Sequence, residues 1–249
     1  MITQQKKLAI VTGGGSGIGL AIAEKFCRNG IITIVAGRDM TKLNAARASL
    51  GENCHPVRCD VTDLAALPGF VNDIIERHGP VDILVNNAGT NMKKDFNDVT
   101  DEEFQQVILT NLTSVFSLSR EVVKHMLQSK SGSIINISSM AAQYGIPKVV
   151  AYSASKTAID GMTRAMAVEL SPSGIRVNAI APGFIYSDMT AKALDNDPDR
   201  KAKVFSRTPM GTMGQPADIA DAAYFLAGDE AKFITGVVLP VDGGNSIGF

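Results

Sequence analysis

Tyr152 and Lys156 stand four residues apart in the stretch AYSASK (151–156), with only small residues between them. Residues at this spacing on an α-helix lie on the same face, with Cβ atoms about 5–6 Å apart. A tyrosine has an unperturbed pKa of about 10, and lowering it by about three units takes roughly 4 kcal/mol. An ammonium group about 4 Å away supplies an interaction of this size at an effective dielectric constant of about 20. The pair therefore predicts a proton-transfer device in which Lys156 lowers the pKa of the Tyr152 phenol.

A glycine-rich loop, TGGGSGIG (12–19), follows an apolar run and precedes a segment of helical period. In this strand–loop–helix context, Gly13 and Gly17 let the backbone turn sharply and approach a pyrophosphate, and Gly19 lets helix and strand pack closely. The start of the helix adds free N–H groups and a partial positive charge. A P-loop is excluded because no Lys-Ser or Lys-Thr follows the glycines. The loop predicts a dinucleotide-binding site.

Seven apolar runs rich in valine and isoleucine alternate with longer segments of helical period. The predicted strands are 6–12, 31–37, 55–61, 81–89, 132–139, 175–183 and 236–244, and the longest predicted helix covers roughly 151–171. This alternation predicts βαβ units and a parallel sheet covered by helices on both faces. Without a repeat or a linker, we expect the α/β class: a single doubly wound, Rossmann-type domain over residues 1–249 with a seven-stranded parallel sheet. Ligands of such sheets bind at the carboxyl ends of the strands.

The bulk composition argues against several other classes of protein. The chain is 45% hydrophobic and 20% charged with a net charge of −1, so it has a core to bury and no basic excess for a nucleic-acid partner. It lacks the roughly 18 consecutive apolar residues of a membrane span and the apolar region of a signal peptide, so we expect a cytoplasmic protein. Cys27, Cys54 and Cys59 have the spacing of neither a disulfide framework nor a zinc site, so no metal is predicted.

Three motifs together resemble the short-chain dehydrogenase/reductase family: Gly-x-x-x-Gly-x-Gly at 13–19, NNAG at 86–89, and Tyr-x-x-x-Lys at 152–156. The resemblance covers essentially the whole chain. It implies hydride transfer between a nicotinamide cofactor and a carbinol carbon, with Tyr152 as general acid or base and Lys156 tuning it and holding the ribose. It also implies that Ser139, rather than Ser138, orients the substrate oxygen and that Asn111 holds a water in the proton relay.

The resemblance also implies which residues contact the cofactor. Asp60 and Val61 would frame the adenine, 87–89 would line the ribose, and the turn after the sixth strand would lie near the nicotinamide carboxamide. The cofactor residues that we predict are Gly13, Ser16, Gly17, Ile18, Gly19, Arg38, Asp60, Val61, Asn87, Ala88, Gly89, Tyr152, Lys156, Pro182, Gly183, Ile185 and Ser187. Ser187 replaces the more usual threonine and keeps its hydroxyl.

Arg38 bears on the choice between the two nicotinamide cofactors. An acidic residue at the end of the second strand would hold the ribose hydroxyls and repel a 2′-phosphate, but here Gly37 is followed by Arg38. A guanidinium suits a phosphate by charge and by paired hydrogen bonds. Asp39 comes one residue later, so its side chain should point elsewhere. We predict that NADP(H) is preferred and leave NAD(H) open, because Ser16 replaces a second basic residue that some NADP-dependent relatives carry in the glycine loop.

The substrate is less constrained by the sequence. A segment over about 184–213 should form a lid that orders on binding a small-molecule substrate. Residues 90–104 and 207–236 look like gluconate 5-dehydrogenases and related sugar-acid or polyol enzymes, in which Lys93, Lys94 or Arg207 could meet a substrate carboxylate. The stretch APGFIYSDMT (181–190) looks instead like 3-oxoacyl-carrier-protein reductases.

We therefore expect a sugar-acid or polyol substrate, with a 3-oxoacyl-carrier-protein reductase as the alternative. A non-catalytic dinucleotide-binding sensor is the alternative from a different class, although binding alone has no need of a tuned tyrosine. Because relatives commonly assemble through their long helices and C-terminal strand, we also expect a homotetramer.

Overall fold

The structure, a computed structural model, describes residues 6–187 and 198–248. Within these ranges, seven strands form one parallel sheet in the order β3-β2-β1-β4-β5-β6-β7, as the sequence predicts. The strands are β1 (Leu8–Thr12), β2 (Ile32–Gly37), β3 (Cys54–Arg58), β4 (Ile83–Asn86), β5 (Gly132–Ile137), β6 (Ile175–Pro182) and β7 (Val238–Val241). The helices are α1 (Gly17–Arg28), α2 (Met40–Leu50), α3 (Leu67–His78), α4 (Asp101–Ile108), α5 (Ser114–Ser129), α6 (Val150–Leu170), α7 (Pro198–Arg207) and α8 (Pro216–Ala227).

Successive residues of β1 face opposite sides of the sheet, and helices cover both sides. Leu8 and Ile10 pack into a core that includes α3 and α5, whereas Ala9 and Val11 pack into a second core that includes α1 and α8. All residues of β1 are buried. Because neither face meets water, the strand shows no polar alternation, which explains the continuous apolar runs in the sequence.

The strand order reverses at β1. Ile10 pairs with Ile34 of β2 on one side and with Leu84 of β4 on the other. A crevice opens at the carboxyl ends of the strands at such a reversal, and ligands of doubly wound sheets bind there. The loops that follow β1, β2, β3 and β4 therefore frame the candidate site.

Several predicted strands extend past the observed ones at this carboxyl edge. The prediction for β3 ran to residue 61, but pairing stops where Gly37 lies opposite Arg58. The prediction for β7 ran to residue 244, but pairing stops where Pro182 lies opposite Val241. In both cases the ladder ends where the neighbouring strand ends, and the remaining residues form loops at the ligand edge.

A π-helical turn, Leu109–Thr113, joins α4 to α5. No feature of the sequence predicts this widened turn. Asn111 lies at its centre and is fully buried. Single π-turns inside helices are frequent at functional sites because they redirect a side chain that a regular helix would point elsewhere.

Part of the predicted lid, residues 188–197, lies outside the described residues. The rest of the 184–213 segment contains α7 and an isolated parallel bridge between Ile185 and Gly214. None of the helices in the described ranges is long and apolar enough to cross a membrane.

Candidate active site

The glycine loop is fastened to the end of β4 by a small set of hydrogen bonds. The hydroxyl oxygen of Thr12 accepts bonds from the backbone N–H groups of Asn87 and Ala88, both at 3.0 Å. The Asn87 side chain donates to the carbonyl oxygen of Thr12 at 2.8 Å. The role of Thr12 was not predicted from the sequence, although its position as the last strand residue before the glycines is a usable signal. The structure shows that the NNAG motif holds the loop in shape.

Gly13 and Gly19 meet at the crossing of this loop and α1. Gly13 has a φ of +66°, which favours glycine, and its N–H donates to the carbonyl oxygen of Ala36 at 2.7 Å. A Cβ atom at Gly19 would lie 2.4 Å from the carbonyl oxygen of Gly13 and 2.5 Å from the side-chain nitrogen of Asn87. Only glycine therefore lets α1 begin this close to β1.

The start of α1 is open toward the predicted phosphate position. Its N-cap, Ser16, is exposed, and its side chain makes no capping hydrogen bond. A Cβ atom at Gly17 would meet no other atom within 4 Å. Free N–H groups at an uncapped helix start attract anions. Ile18, by contrast, is partly buried and packs against the α1–α8 core.

A cavity of about 450 Å³ runs from the glycine loop across the ends of the central strands. Its lining includes most of the predicted adenosine and ribose contacts: Gly13, Ser16, Arg38, Asp60, Val61, Asn87, Ala88 and Gly89. The open helix start, the glycine approach and this lining fit a dinucleotide by shape and by chemistry.

The side chains of Arg38 and Asp39 point in different directions, as predicted from their adjacent positions. Arg38 is exposed, lines the cavity, and forms no hydrogen bond or ion pair with any other described residue. Asp39 instead caps α2, accepting hydrogen bonds from the N–H groups of Thr41 and Lys42 at 3.0 and 3.2 Å. Of this adjacent pair, Arg38 is thus the side chain that faces the cavity.

Asp60 is held at the rim of the same cavity by Thr62. Its carboxylate accepts hydrogen bonds from the Thr62 backbone N–H at 3.0 Å and hydroxyl at 2.7 Å. These bonds, and to a lesser extent the charge of Arg38, hold the pKa of Asp60 below its usual range. Asp60 is therefore an ionised acceptor with lone pairs left for a further donor.

Tyr152 and Lys156 lie on the same face of α6, next to the end of β5. The ammonium nitrogen of Lys156 is 5.6 Å from the centre of the Tyr152 ring. It donates a hydrogen bond to the carbonyl oxygen of Ile137 at 2.6 Å, and the side chain is buried. The lysine is thus fixed between the helix and the sheet by this hydrogen bond.

The pKa values of this pair differ from the prediction made from spacing alone. Burial raises the pKa of Tyr152, and the nearby Ser139 hydroxyl opposes the rise. Burial also lowers the pKa of Lys156 to about 8, while Asp160 opposes that change. The net pKa of Tyr152 is therefore raised and not lowered, because a low-dielectric environment disfavours the charged forms of both groups.

Ser138 and Ser139 have different surroundings. Ser138 is buried, and its hydroxyl donates to the carboxylate of Asp160. Ser139 is partly exposed and caps a short 3₁₀ helix, accepting a hydrogen bond from the N–H of Ala141 at 3.1 Å. Of the two hydroxyls, only that of Ser139 influences the Tyr152 phenol, so the geometry favours Ser139 as the group that would meet a substrate oxygen.

Asn111 joins this group from the π-helical turn. Its side chain accepts from the N–H of Thr90 and donates to the carbonyl oxygen of Thr90, both at 2.8 Å, and also donates to the Ser155 hydroxyl at 3.1 Å. A Cβ atom at Gly89 would lie 3.2 Å from the Asn111 side-chain oxygen and 3.8 Å from the Lys156 nitrogen. Asn111, Lys156 and the end of the NNAG motif therefore converge on one point.

The turn after β6 lies at the far end of the site. Pro182 is buried, and the N–H of Gly183 donates to Val241 at 3.0 Å. A Cβ atom at Gly183 would meet the backbone of Asp242 at 2.7 Å, which makes the position glycine-specific. Ile185 is partly buried in the α1–α8 core, and Ser187 is the last described residue before the gap.

The cysteine and histidine positions do not form a metal site within the described residues. Cys27, Cys54 and Cys59 are free and buried, and no group of three potential ligands comes together in that part of the chain. His55 packs against His78 with ring centres 4.6 Å apart.

Known families and curated proteins match this chain over nearly its whole length. The family described as enoyl-(acyl carrier protein) reductase matches residues 13–246. A 3α-hydroxysteroid dehydrogenase of Mediterraneibacter gnavus is 40% identical over 245 residues, covering 96% of each chain. A 3-oxoacyl-(acyl-carrier-protein) reductase of Escherichia coli is 39% identical over 238 residues, also covering 96% of each chain.

Solved structures show the same likeness in three dimensions. A variant of the actinorhodin polyketide ketoreductase, solved with NADPH, superimposes with a TM-score of 0.92 at 35% identity, covering 99% of this chain and 100% of that one. A candidate gluconate dehydrogenase from Agrobacterium tumefaciens superimposes with a TM-score of 0.94 at 33% identity, covering 100% of both chains.

Proposed function

Because the chain belongs to the short-chain dehydrogenase/reductase family, whose members are oxidoreductases of alcohol and ketone groups, we propose that it prefers NADP(H) and acts on a sugar acid or polyol. The observation that carries the proposal is the grouping of Tyr152, Lys156 and Ser139 next to Gly89, which lines the cavity at the glycine loop. A bound nicotinamide supplies the hydride donor or acceptor.

Tyr152 supplies the proton in this mechanism. With its pKa raised by burial, the phenol holds its proton at neutral pH, which suits donation to the oxygen of a ketone during reduction. Ser139 donates a second hydrogen bond to the same oxygen and orients it. In the reverse direction, Tyr152 first loses its proton through the relay described below, and the phenolate then takes the proton of the alcohol. The charge of Lys156, whose ammonium nitrogen lies 5.6 Å from the ring centre, stabilises that phenolate.

Asn111 and Lys156 are the route for returning the proton to Tyr152. Asn111 is fixed by Thr90 and Ser155, and its side-chain oxygen lies on the same side of Gly89 as the Lys156 nitrogen. We propose that a water beside these groups connects Lys156 to solvent. Lys156 suits such a relay because its pKa of about 8 lets it gain and lose a proton near neutral pH.

The preference for NADP(H) rests on Arg38. Its side chain lines the adenosine end of the cavity without a hydrogen bond or ion pair to a described residue, whereas the neighbouring acid, Asp39, caps α2. A 2′-phosphate would provide the missing anion. The likeness to a ketoreductase solved with NADPH supports the same choice.

The sugar-acid or polyol assignment is supported by likeness to a candidate gluconate dehydrogenase and by the basic side chains on a second cavity, Lys93, Lys203 and Arg207. The alternative function, reduction of a 3-oxoacyl-(acyl-carrier-protein), is supported by the reductases of that name. Their sequence identity to this chain is about the same as that of the 3α-hydroxysteroid dehydrogenase. We also propose a homotetramer, because large apolar side chains are exposed on the surface: Phe116 on α5, Val168 on α6, Phe225 on α8 and Phe233 in the segment between α8 and β7.

The test is a panel of sugar acids, polyols, 3-oxoacyl thioesters and 3-ketosteroids assayed at 340 nm with both cofactors. Tyr152→Phe should lower turnover by about 10²–10⁴-fold while cofactor affinity stays within about twofold. Tyr224→Phe on α8, which keeps the ring but lies away from the cavity, is the matched control and should keep full activity. A Tyr152→Phe variant as active as the wild type would favour the sensor and overturn the enzyme mechanism.

A further inference from the structure

A second cavity, of about 480 Å³, lies against the segment that connects Ser139 to Tyr152. Residues Tyr144–Lys148 of that segment form one wall, and Phe184, just after the β6 turn, lies on another. The cavity is therefore bounded by the two loops that flank the proposed reacting centre.

Arg207, the last residue of α7, is held in a fixed orientation on the cavity wall. The central carbon of its guanidinium lies 4.1 Å from the centre of the Tyr144 ring. Its Nε donates to the carbonyl oxygen of Asn245 at 3.2 Å. The Tyr144 ring contacts one face of the guanidinium, and the Asn245 carbonyl contacts its Nε edge. No other described residue forms a hydrogen bond with the two terminal nitrogens. A pair of guanidinium N–H groups can bind both oxygens of one carboxylate.

Asn245 connects the parts that hold Arg207. It is fully buried, its side chain accepts a hydrogen bond from the Tyr144 hydroxyl, and it donates to the Thr208 hydroxyl at 2.8 Å. One side chain near the C-terminus thus ties the loop after β5 to the end of α7. Because these groups are fixed before any ligand arrives, little conformational entropy remains to be lost on binding.

The cations around the cavity divide into paired and unpaired groups. Lys148 pairs with Asp95, and the neighbouring Lys94 pairs with Glu103. Lys93, Lys203 and Arg207 also line the cavity and form no ion pair with a described residue, and Asp199 is the single carboxylate in the described lining. The described wall therefore carries an excess of positive charge facing a mainly apolar space.

We propose that the braced guanidinium of Arg207 binds a carboxylate of the substrate, at the end remote from the carbon that exchanges hydride. Tyr144 and Asn245 act as positioning residues that keep the two terminal nitrogens of the Arg207 guanidinium directed toward the cavity. The inference rests on the proposed function, because it assigns the substrate class as an oxo or hydroxy acid. The specificity for the acid comes from a hydrogen-bonded fork and not from exposed lysines, whose flexible charges discriminate weakly.

The experiment measures ligand binding without turnover, so that it does not depend on the reaction. Gluconate and hexanoate are titrated against sorbitol and hexanol by calorimetry in the presence of saturating NADPH, with which alcohols cannot react. The wild type should bind each acid at least about tenfold more tightly than its neutral counterpart, as expected for charge-assisted hydrogen bonds. Arg207→Gln should remove this preference and leave the neutral ligands unchanged.

Three further variants separate binding from folding. Asn245→Ala should weaken acid binding in the same direction as Arg207→Gln, and Arg207→Lys, which keeps the charge without the fork, should restore only part of the affinity. Arg28→Gln, a surface arginine paired with Glu24 on α1, is the matched control and should bind like the wild type. Thermal unfolding of each variant shows whether the fold is kept.

Two results would overturn the proposal: equal binding of acids and neutral counterparts by the wild type, or unchanged acid preference in Arg207→Gln. Tighter binding of phosphopantetheine than of gluconate would overturn the carboxylate as the bound group. A chain that binds acids through Arg207 but turns over none of the panel with either cofactor would refute the proposed function and leave the anion site standing.

Discussion

The Lys156 ammonium nitrogen lies 5.6 Å from the centre of the Tyr152 ring and gives its hydrogen bond to the carbonyl oxygen of Ile137. The lysine is thus anchored to β5, and its charge acts on the tyrosine through space. Burial moves the pKa of the two groups in opposite directions, the phenol upward and the amine down to about 8. Both groups are thereby shifted toward their neutral forms.

The buried Lys156 should make stability depend on pH. In the unfolded chain its pKa is 10.5, whereas in the folded chain it is about 8. Between these pH values the unfolded chain binds more protons, so the free energy of unfolding rises with pH. Relative to Lys156→Met, the wild type should gain up to about 3 kcal/mol over this window. Denaturant unfolding of both proteins at pH 7, 8, 9 and 10 measures the difference, and a difference that stays flat would contradict a neutralised lysine.

Arg38 should set the cofactor preference. Arg38→Ala removes the charge-assisted hydrogen bonds to a 2′-phosphate and should lower kcat/KM for NADPH by about 10–100-fold. The value for NADH should change little, because that cofactor lacks the phosphate. Steady-state kinetics with both cofactors measure the ratio, with Arg28→Ala as the surface control. Equal kcat/KM values for the two cofactors, unaffected by Arg38→Ala, would refute the assignment.

Gly19 should tolerate no side chain. In Gly19→Ala the new methyl group would lie 2.4 Å from the Gly13 oxygen, so the loop must shift. We expect a loss of about 1–3 kcal/mol in the free energy of unfolding and a clear fall in dinucleotide affinity. Gly69→Ala on α3, where a Cβ meets nothing within 4 Å, should instead stabilise the fold by up to about 1 kcal/mol and leave affinity unchanged. Denaturant unfolding and cofactor fluorescence titration measure both effects.

Asn136 should be needed for stability more than for chemistry. Its side chain accepts from Asn86 at 2.9 Å and donates to Thr163 at 2.9 Å, linking β4, β5 and α6 in a fully buried network. Asn136→Leu leaves buried partners unsatisfied and should cost about 2–4 kcal/mol. Asn97→Ala, at an exposed position, should cost less than about 0.5 kcal/mol. Chemical denaturation gives both values, and an Asn136→Leu cost as small as that of the control would rule out the network's role.

The fold was predictable because its signals are local and repeated. Alternating apolar runs and helical segments specified the seven parallel strands, and the motifs at 13–19, 86–89 and 152–156 specified the family. Strand ends were predicted less well, since pairing stops where the neighbouring strand stops, which for β3 and β7 depends on residues elsewhere in the chain.

The supporting residues of the site were harder to predict. The Thr12 hydroxyl accepts a hydrogen bond from Asn87 and so fixes the glycine loop. Asp160 lies one turn beyond Lys156 and accepts a hydrogen bond from the Ser138 hydroxyl. Asn245, near the C-terminus, accepts a hydrogen bond from the Tyr144 hydroxyl. Of these, Thr12 had a usable signal in its position before the glycines, and Asp160 had one because an acid four residues after a lysine shares its helix face. The contact of Asn245 with Tyr144 spans 101 positions and had none.

The sequence by itself determined which groups we propose for the chemistry, since residue type and spacing along one helix or one loop are local properties. Only the tertiary structure decided how those groups are charged and oriented. Burial, which depends on the packing of distant segments, turned the expected acidic phenol into one that keeps its proton and gave Lys156 a pKa of about 8. The same packing fixed Arg207 on the wall of a second cavity, a relation that arises only when α7, the loop after β5 and the C-terminal segment come together.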